Sequence, residues 1–588
     1  DYTESIITGF TDVYKLLLNY RDELLSSESP LNHFADDEVR VVLRPTDTYA
    51  RMLWESFHPD LLRNALDRDR FFDRLWIEVK YRPELEKVIV AEQEDLWQGD
   101  IPIFNTCSNS CDLWTSTNQQ IPNFFTQSGL DIVQQRLKKL ELQDRERQIW
   151  FIRASLATLV MGVESTNQRL NYRFKEPKKI ISEPETLAEQ LLENACAIAD
   201  HLEELVLRGE DDATWLGLNL ISEKHWSVLP LGIDLYDGLL GVILFLAYLG
   251  AVTQEERYTA LAEAALNTVQ RQLKQHQDSI RSIGGFSGLG GIIYALAHLG
   301  VLWDRPALLS DAESLVERLP ALIAEDAQLD IIAGAGGYLA SLISLYHCRP
   351  SEKILAAARQ CGDRLIDQAT PMKKGSAWVL KAMGTEPLSG FSHGAAGIAW
   401  ALLELFALTK EQRFYQAALE GITYERSLFY PELGNWLDLR ELETQKEPNQ
   451  HNCMTAWCHG APGIGLARLR CLPYIDNLTI RSEINTAIKT TLEQGFGLNH
   501  SLCHGDLGNL ELILQASLIL NDSQYQTQVN HLTTLILESM HQRGWICGVP
   551  LGVETPGLMT GLAGIGYELL RLANPQFVPS VLVLEPPI

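Results

Sequence analysis

The sequence predicts a mainly α protein whose larger part is a seven-fold α/α toroid, a double ring of helices, preceded by a smaller α+β region. Three observations point there. Gly-x-x-Gly recurs seven times from residue 230 onward, at Gly238/Gly241, Gly288/Gly291, Gly334/Gly337, Gly394/Gly397, Gly460/Gly463, Gly505/Gly508 and Gly561/Gly564, spaced 45 to 66 residues apart. Each pair opens a run that is apolar nearly all round, such as Val242-Ile-Leu-Phe-Leu-Ala-Tyr-Leu249, as expected of a buried helix. Amphipathic, charged stretches such as 254–277 and 484–495 lie between them and read as outer helices. An open solenoid would satisfy the same periodicity. Closure is favoured because candidate ligands occur in repeats one, four, five and six, and only a ring brings those together.

The first 180 residues differ. Residues 6–25 read as helix, 39–44 as a strand, and 70–90 and 132–163 as further helices. The stretch 171–185, with four basic residues and two prolines, is the best linker, so the domains are placed at 1–185 and 186–588.

Composition narrows the function. A formal charge of −27 on 588 residues argues against nucleic-acid partners, which need a basic face, and against anionic membranes. The longest apolar stretch, near 239–250, is shorter than the roughly 20 residues of a membrane span. The start, Asp1-Tyr-Thr-Glu4, has neither an initiator Met nor a signal-peptide pattern and reads as a cut inside a longer protein. Ten cysteines, mostly in apolar helical runs, do not form a disulfide framework, so a reducing cytoplasm is expected.

Aligned on the first glycine, the repeats place Asp237, Ser287, Ala333, His393, His459, His504 and Thr560 one residue before it. Two before stand Tyr236, Phe286, Ile332, Ser392, Cys458, Cys503 and Met559. Cys-His-Gly thus appears twice, at 458–460 and 503–505. Cys458, Cys503 and His504 form a candidate zinc set: two thiolates and an imidazole, leaving a fourth tetrahedral position open as catalysis requires. Either cysteine could instead be an ordinary buried thiol. His459 is assigned next to the ligands or to substrate, because neighbours on a helix diverge. His393 sits in the ligand register without a cysteine and is a candidate fourth ligand or, more usefully, a general acid/base near the open position. Asp234 and Asp237 precede the first repeat; either could orient His393 or the substrate, although Asp is also a common helix N-cap. Cys107 and Cys111 are assigned nothing, and Asp506 is read as a first-turn charge favoured by the helix dipole.

The ordered set Asp234-Leu-Tyr-Asp-Gly238, Ser392-His-Gly394, Trp457-Cys-His-Gly-Ala-Pro-Gly463, Cys503-His-Gly505 and Pro556-Gly-Leu-Met-Thr-Gly-Leu-Ala-Gly564 resembles the lanthionine cyclase domain over 185–588. Val39-Arg-Val-Val-Leu-Arg-Pro-Thr-Asp-Thr-Tyr49 and Gly99-Asp-Ile-Pro102 resemble the end of the kinase-like dehydratase domain of class II lanthipeptide synthetases. The resemblance implies an enzyme acting on a ribosomally made precursor peptide, a leader followed by a Ser/Thr/Cys-containing core. Its dehydratase would use ATP and Mg²⁺ to phosphorylate Ser/Thr and then eliminate phosphate. Its cyclase would add Cys thiols to the dehydro residues to form thioether rings. It further implies Cys458, Cys503 and His504 as zinc ligands, His393 and Asp234 as catalytic, and Arg40 and Thr46 as the elimination pair. No phosphate loop or metal-binding kinase motif is found in 1–185, so the ATP and Mg²⁺ site is expected upstream. Two departures stand out: His459 replaces the Tyr, and Met454 the Arg, found in some cyclases. The rivals are another zinc-dependent α/α thiol alkylase, prenyltransferase-like, and an inert peptide-binding toroid.

Overall fold

A computed structural model describes residues 2–161, 184–222, 225–276, 280–317, 319–380, 383–440 and 452–588. The chain divides into two compact units, Asp1–Ile152 and Arg153–Ile588. The division falls inside a helix, Leu142–Met161, upstream of the linker expected at 171–185, most of which lies outside the described residues.

The first unit carries helices α1 (Thr3–Asn19), α2 (Arg21–Leu24), α3 (Thr46–Ser56), α4 (Ala65–Phe72), α5 (Ile89–Gln98), α6 (Gly129–Lys138) and the start of α7 (Leu142–Met161). An antiparallel sheet runs in the order β1 (Glu38–Val41), β2 (Phe104–Cys107), β3 (Leu113–Trp114), β4 (Gln120–Ile121). The single helix expected over 70–90 is not formed. After α4 the chain passes through two 3₁₀ segments, Asp73–Lys80 and Pro83–Lys87, and Pro83, which lacks the N–H that a continuous helix needs, separates them. The helix expected over 132–163 is likewise two, α6 and α7. Behind β1 the Arg44 guanidinium is buried, with Nε 2.8 Å from Glu92 Oε1 and Nη1 2.9 Å from Glu78, and Tyr49 donates to Glu92 at 2.5 Å. A buried charge needs such partners.

The second unit takes in the end of α7 and then α8 (Pro184–Leu205), α9 (Leu239–Thr253), α10 (Glu256–His276), α11 (Leu289–Leu302), α12 (Pro306–Val316), α13 (Leu319–Glu325), α14 (Ala335–Cys348) and α15 (Glu352–Gln368). It ends with α16 (Ala395–Thr409), α17 (Gln412–Arg426), α18 (Ala461–Cys471), α19 (Leu478–Gln494), α20 (Asp506–Leu520), α21 (Ser523–Arg543) and α22 (Leu562–Ala573). Helices α9, α11, α14, α16, α18, α20 and α22 pack each against the next, and α22 packs back on α9, so the inner ring is closed. Outside them, α10, α12 with α13, α15, α17, α19 and α21 cover the first six. The seventh, α22, is covered by α8 from the beginning of the unit. Among the described residues no helix is long and apolar enough to cross a membrane.

The glycine pairs have a steric cause. The first glycine of each pair is the N-cap of an inner helix, and the second lies one turn in. A Cβ on the second glycine would meet the carbonyl oxygen six residues earlier: 1.8 Å from Leu502 at Gly508, 2.0 Å from Trp457 at Gly463, 1.6 Å from Leu558 at Gly564. Each turn therefore folds flat onto its own helix, which any side chain would prevent. Gly460 alone of the seven N-caps has positive φ, 91°, closing a tight turn in which its Cβ would strike Met454 O.

These flattened turns join into a backbone collar. Tyr236 N donates to Phe286 O, Phe286 N to Ile332 O, Ile331 N to Ser392 O, Ser392 N to Cys458 O, Cys458 N to Cys503 O, Cys503 N to Met559 O and Met559 N to Tyr236 O, at 2.7–3.3 Å. The bonds run once round the ring. They satisfy buried backbone groups that a loop would otherwise leave unpaired, and they bring residues from distant repeats to one mouth.

Candidate active site

A cavity of about 310 Å³ opens at the collar. It is lined by Tyr236, Ile332, Met383, Ser392, His393, Arg440, Met454, Cys458, His459, Cys503 and His504. Cys458 and Cys503 are neighbours because their backbones are hydrogen-bonded across repeats five and six. The nearness of Cys503, by hydrogen bond and charge, together with burial, pushes the Cys458 thiol well above its ordinary range, while His504 and Arg440 oppose this. Tyr236 Oη donates to Cys503 Sγ at 3.0 Å.

His504 reaches the same pocket from beside Cys503. Its Nε2 lies 2.8 Å from Gly548 O. A carbonyl only accepts, so Nε2 carries the proton and Nδ1 keeps its lone pair. Among the described residues no group of three or more His, Cys, Asp or Glu side chains stands in ready metal-holding geometry. The donor chemistry nevertheless fits a soft divalent ion: two neighbouring buried cysteine sulfurs, and an imidazole whose other nitrogen is tied to a backbone carbonyl, as metal-ligating histidines generally are.

His393 lies in the fourth repeat, and its Nδ1 is 2.5 Å from Asp330 Oδ2. Asp330 is buried, and its other oxygen accepts from Ala333 N at 2.7 Å and Gly334 N at 3.1 Å, so the carboxylate is fixed. Nδ1 thus carries a proton, and Nε2 is the nitrogen left for chemistry. Asp330 was not among the residues singled out from the sequence. It stands four before the first glycine of repeat three, the register Asp234 holds in repeat one, and that register was the available signal. Asp234 itself accepts from Asp237 N at 3.0 Å and Gly238 N at 3.2 Å, closing the turn that precedes α9, and, like Asp330, it is not among the residues lining the cavity. Asp237 is engaged with Thr560, at 3.0 Å to N and 2.6 Å to Oγ1. Burial, only partly offset by the Thr560 hydrogen bonds, pushes its carboxyl up to about 7.

His459 lines the cavity stacked on His393, ring centroids 5.9 Å apart, with Nδ1 3.3 Å from Ser389 O. Burial, and then the charge of Arg440, lowers it to about 3, so it is neutral near pH 7. At Met454, where an Arg stands in some cyclases, the sulfur touches a guanidinium from elsewhere: Arg440 Nη2 is 3.2 Å from Met454 Sδ. In the first unit, Arg40 lies on β1 and Thr46 begins α3. Both are exposed, and among the described residues no hydrogen bond joins them.

Comparison with known proteins places the chain in a family. The family model for lanthionine synthetase C-like proteins matches residues 230–583, and a domain of unknown function, DUF4135, matches 1–107. The lacticin 481/lactococcin biosynthesis protein LcnDR2 of Lactococcus lactis subsp. lactis is 22% identical over 97% of this chain and 59% of its own length. The chain therefore spans less than two thirds of that relative. Glutathione S-transferase LANCL1 of Danio rerio is 23% identical over 58% of this chain and 82% of its own. A solved nisin cyclase is 19% identical, with a TM-score of 0.49 over 60% of this chain and 92% of that one. On a family match that takes in the whole collar and its cavity, the chain belongs to the lanthionine synthetase C-like family.

Proposed function

We propose that residues 186–588 are the cyclase of a lanthipeptide synthetase. In this reading they join Cys thiols of a ribosomally made precursor peptide to dehydroalanine or dehydrobutyrine in the same peptide, giving lanthionine or methyllanthionine. The observation that carries the reading is one cavity lined by two neighbouring cysteines, an oriented histidine and His393, whose Nδ1 is held by Asp330. Cys458, Cys503 and His504 would hold zinc, whose charge favours the thiolate form of sulfur near pH 7. The chain's own groups do the rest. Tyr236 steadies the Cys503 sulfur, and Gly548 O fixes the His504 tautomer. His393 Nε2 takes the peptide thiol proton and a proton is later delivered to Cα, with Asp330 stabilising the imidazolium between the two transfers.

Residues 1–185 are read as part of the dehydratase, with Arg40 and Thr46 in phosphate elimination. The ATP and Mg²⁺ of phosphorylation are assigned to no residue of this chain. A cytoplasmic setting suits free thiols; ten cysteines carry no disulfide among the described residues. The test is to mix the zinc-loaded chain with a pre-dehydrated Cys-containing peptide and follow free thiol. Thiol should fall with formation of a product of unchanged mass. No loss above the uncatalysed rate from folded, zinc-loaded protein overturns the assignment.

A further inference from the structure

Arg440 belongs to none of the repeat motifs, yet it is the one lysine or arginine among the described residues lining the cavity. It is firmly placed. Its Nε lies 3.0 and 3.2 Å from the two oxygens of Asp438, and its Nη2 2.6 Å from Oδ2. Asp438 is itself buried, and its backbone N–H donates to Asn452 O at 2.8 Å, which ties this segment to the strand of chain leading to Cys458. The same Nη2 of Arg440 lies 3.2 Å from Met454 Sδ. A planar, permanently charged donor held by a buried carboxylate at a cavity wall is set to meet a fixed point of negative charge.

We propose that Arg440, positioned by Asp438, binds the carbonyl oxygen of the dehydroamino acid and takes up the charge that develops there. The proposal rests on the cyclase reading. In that reaction the peptide sulfur forms a bond to Cβ, and the electron pair of the Cα=Cβ bond moves to the adjoining Cα–carbonyl unit. One negative charge thus leaves sulfur and appears on an enolate oxygen. Protonation at Cα, by the proton His393 took from the thiol, restores the carbonyl; nothing is oxidised or reduced. A preorganised donor at the oxygen is worth most in the transition state, because charge reaches that atom only as the new bond forms.

The test uses the whole zinc-loaded chain and a pre-dehydrated peptide under single-turnover conditions. Arg440→Gln should slow thiol loss by about 10²–10³-fold, the usual effect of losing one oxyanion donor. Zinc content and peptide affinity should stay within threefold of wild type. Ethylguanidinium should restore part of the rate to Arg440→Ala, which a merely structural loss would not allow. Asp438→Asn should give a smaller loss than Arg440→Gln, with zinc retained. The pH profile of the residual Arg440→Gln activity should match wild type; an alkaline shift would mean that the guanidinium serves the sulfur instead, and would overturn the proposal. So would a rate within threefold of wild type, or loss of zinc from the folded variant. If the wild-type chain consumes no thiol, the cyclase reading itself fails, a result distinct from an active wild type with an unaffected Arg440→Gln.

Discussion

Replacing Asp330 by Asn tests the acid/base assignment with little change of shape. One oxygen of Asp330 accepts from the amides of Ala333 and Gly334, and the other receives Nδ1–H of His393 at 2.5 Å. An Asn carbonyl would keep the two amides, leaving its NH₂ facing Nδ1. Two donors cannot share that contact, so the imidazole would move its proton to Nε2 and lose the lone pair needed to accept the thiol proton. General acid–base catalysis contributes typically 10²–10⁴-fold, or about 3–5 kcal/mol of barrier. The lost charge-assisted bond costs about 1.5–3 kcal/mol of stability at most, which a 588-residue protein should survive folded. The assay is single-turnover thiol loss from a pre-dehydrated peptide, with circular dichroism and zinc content as controls. Asp330→Asn should fall by two to four orders of magnitude. Asp234→Asn keeps an acceptor oxygen for the amides of Asp237 and Gly238 and should leave both stability and rate nearly intact. A folded, zinc-replete Asp330→Asn within threefold of wild type, or an Asp234→Asn equally slow, would refute the assignment.

Three further outcomes are expected. Cys503→Ala should drop bound zinc from about one per chain to near zero and abolish thiol loss, since removing one of three ligands leaves too few donors; stoichiometric zinc in the variant would contradict the ligand set. Gly508→Ala should lower the unfolding free energy by about 1–3 kcal/mol or more, because its Cβ would meet Leu502 O at 1.8 Å, whereas Gly9→Ala, inside α1 with nothing within 4 Å, should be stabilising by up to about 1 kcal/mol. His201 on α8 bridges Glu554 at 2.9 Å and Glu204 at 3.2 Å. Burial alone would lower its pKa, but the hydrogen bond and charge of Glu554, then those of Glu204, raise it overall. This contribution is therefore complete below the ordinary histidine value near 6.5 and is lost as pH rises through the raised folded value. The Tm difference between wild type and His201→Gln should be widest near about pH 5.5 and narrow towards about pH 9; a gap that grows with pH would reverse the sign.

Local pattern was enough for the repeat unit. Each Gly-x-x-Gly turn is governed by a carbonyl six residues away in the same repeat, so the seven inner helices and the doubled Cys-His-Gly were legible from one chain read in order. The N-terminal helices were less so. Apolar spacing over 70–90 suggested one helix, and Pro83 with the surrounding packing divided it into 3₁₀ turns.

What the sequence could not decide is whatever depends on which repeats become neighbours. The ring closes because α8, far from α22 in the chain, covers its outer face, and because Met559 N reaches Tyr236 O. Asp234 and Asp330 share one register four residues before a glycine, and only the placement of repeat three beside repeat four puts Asp330, and not Asp234, against His393. Arg440 obeys no period at all; it comes from a connecting segment, and the fold alone sets it on Met454 beside the two sulfurs. Helices and turns follow from interactions a few residues apart, whereas a side chain's partner across a closed ring is settled only when the ring closes.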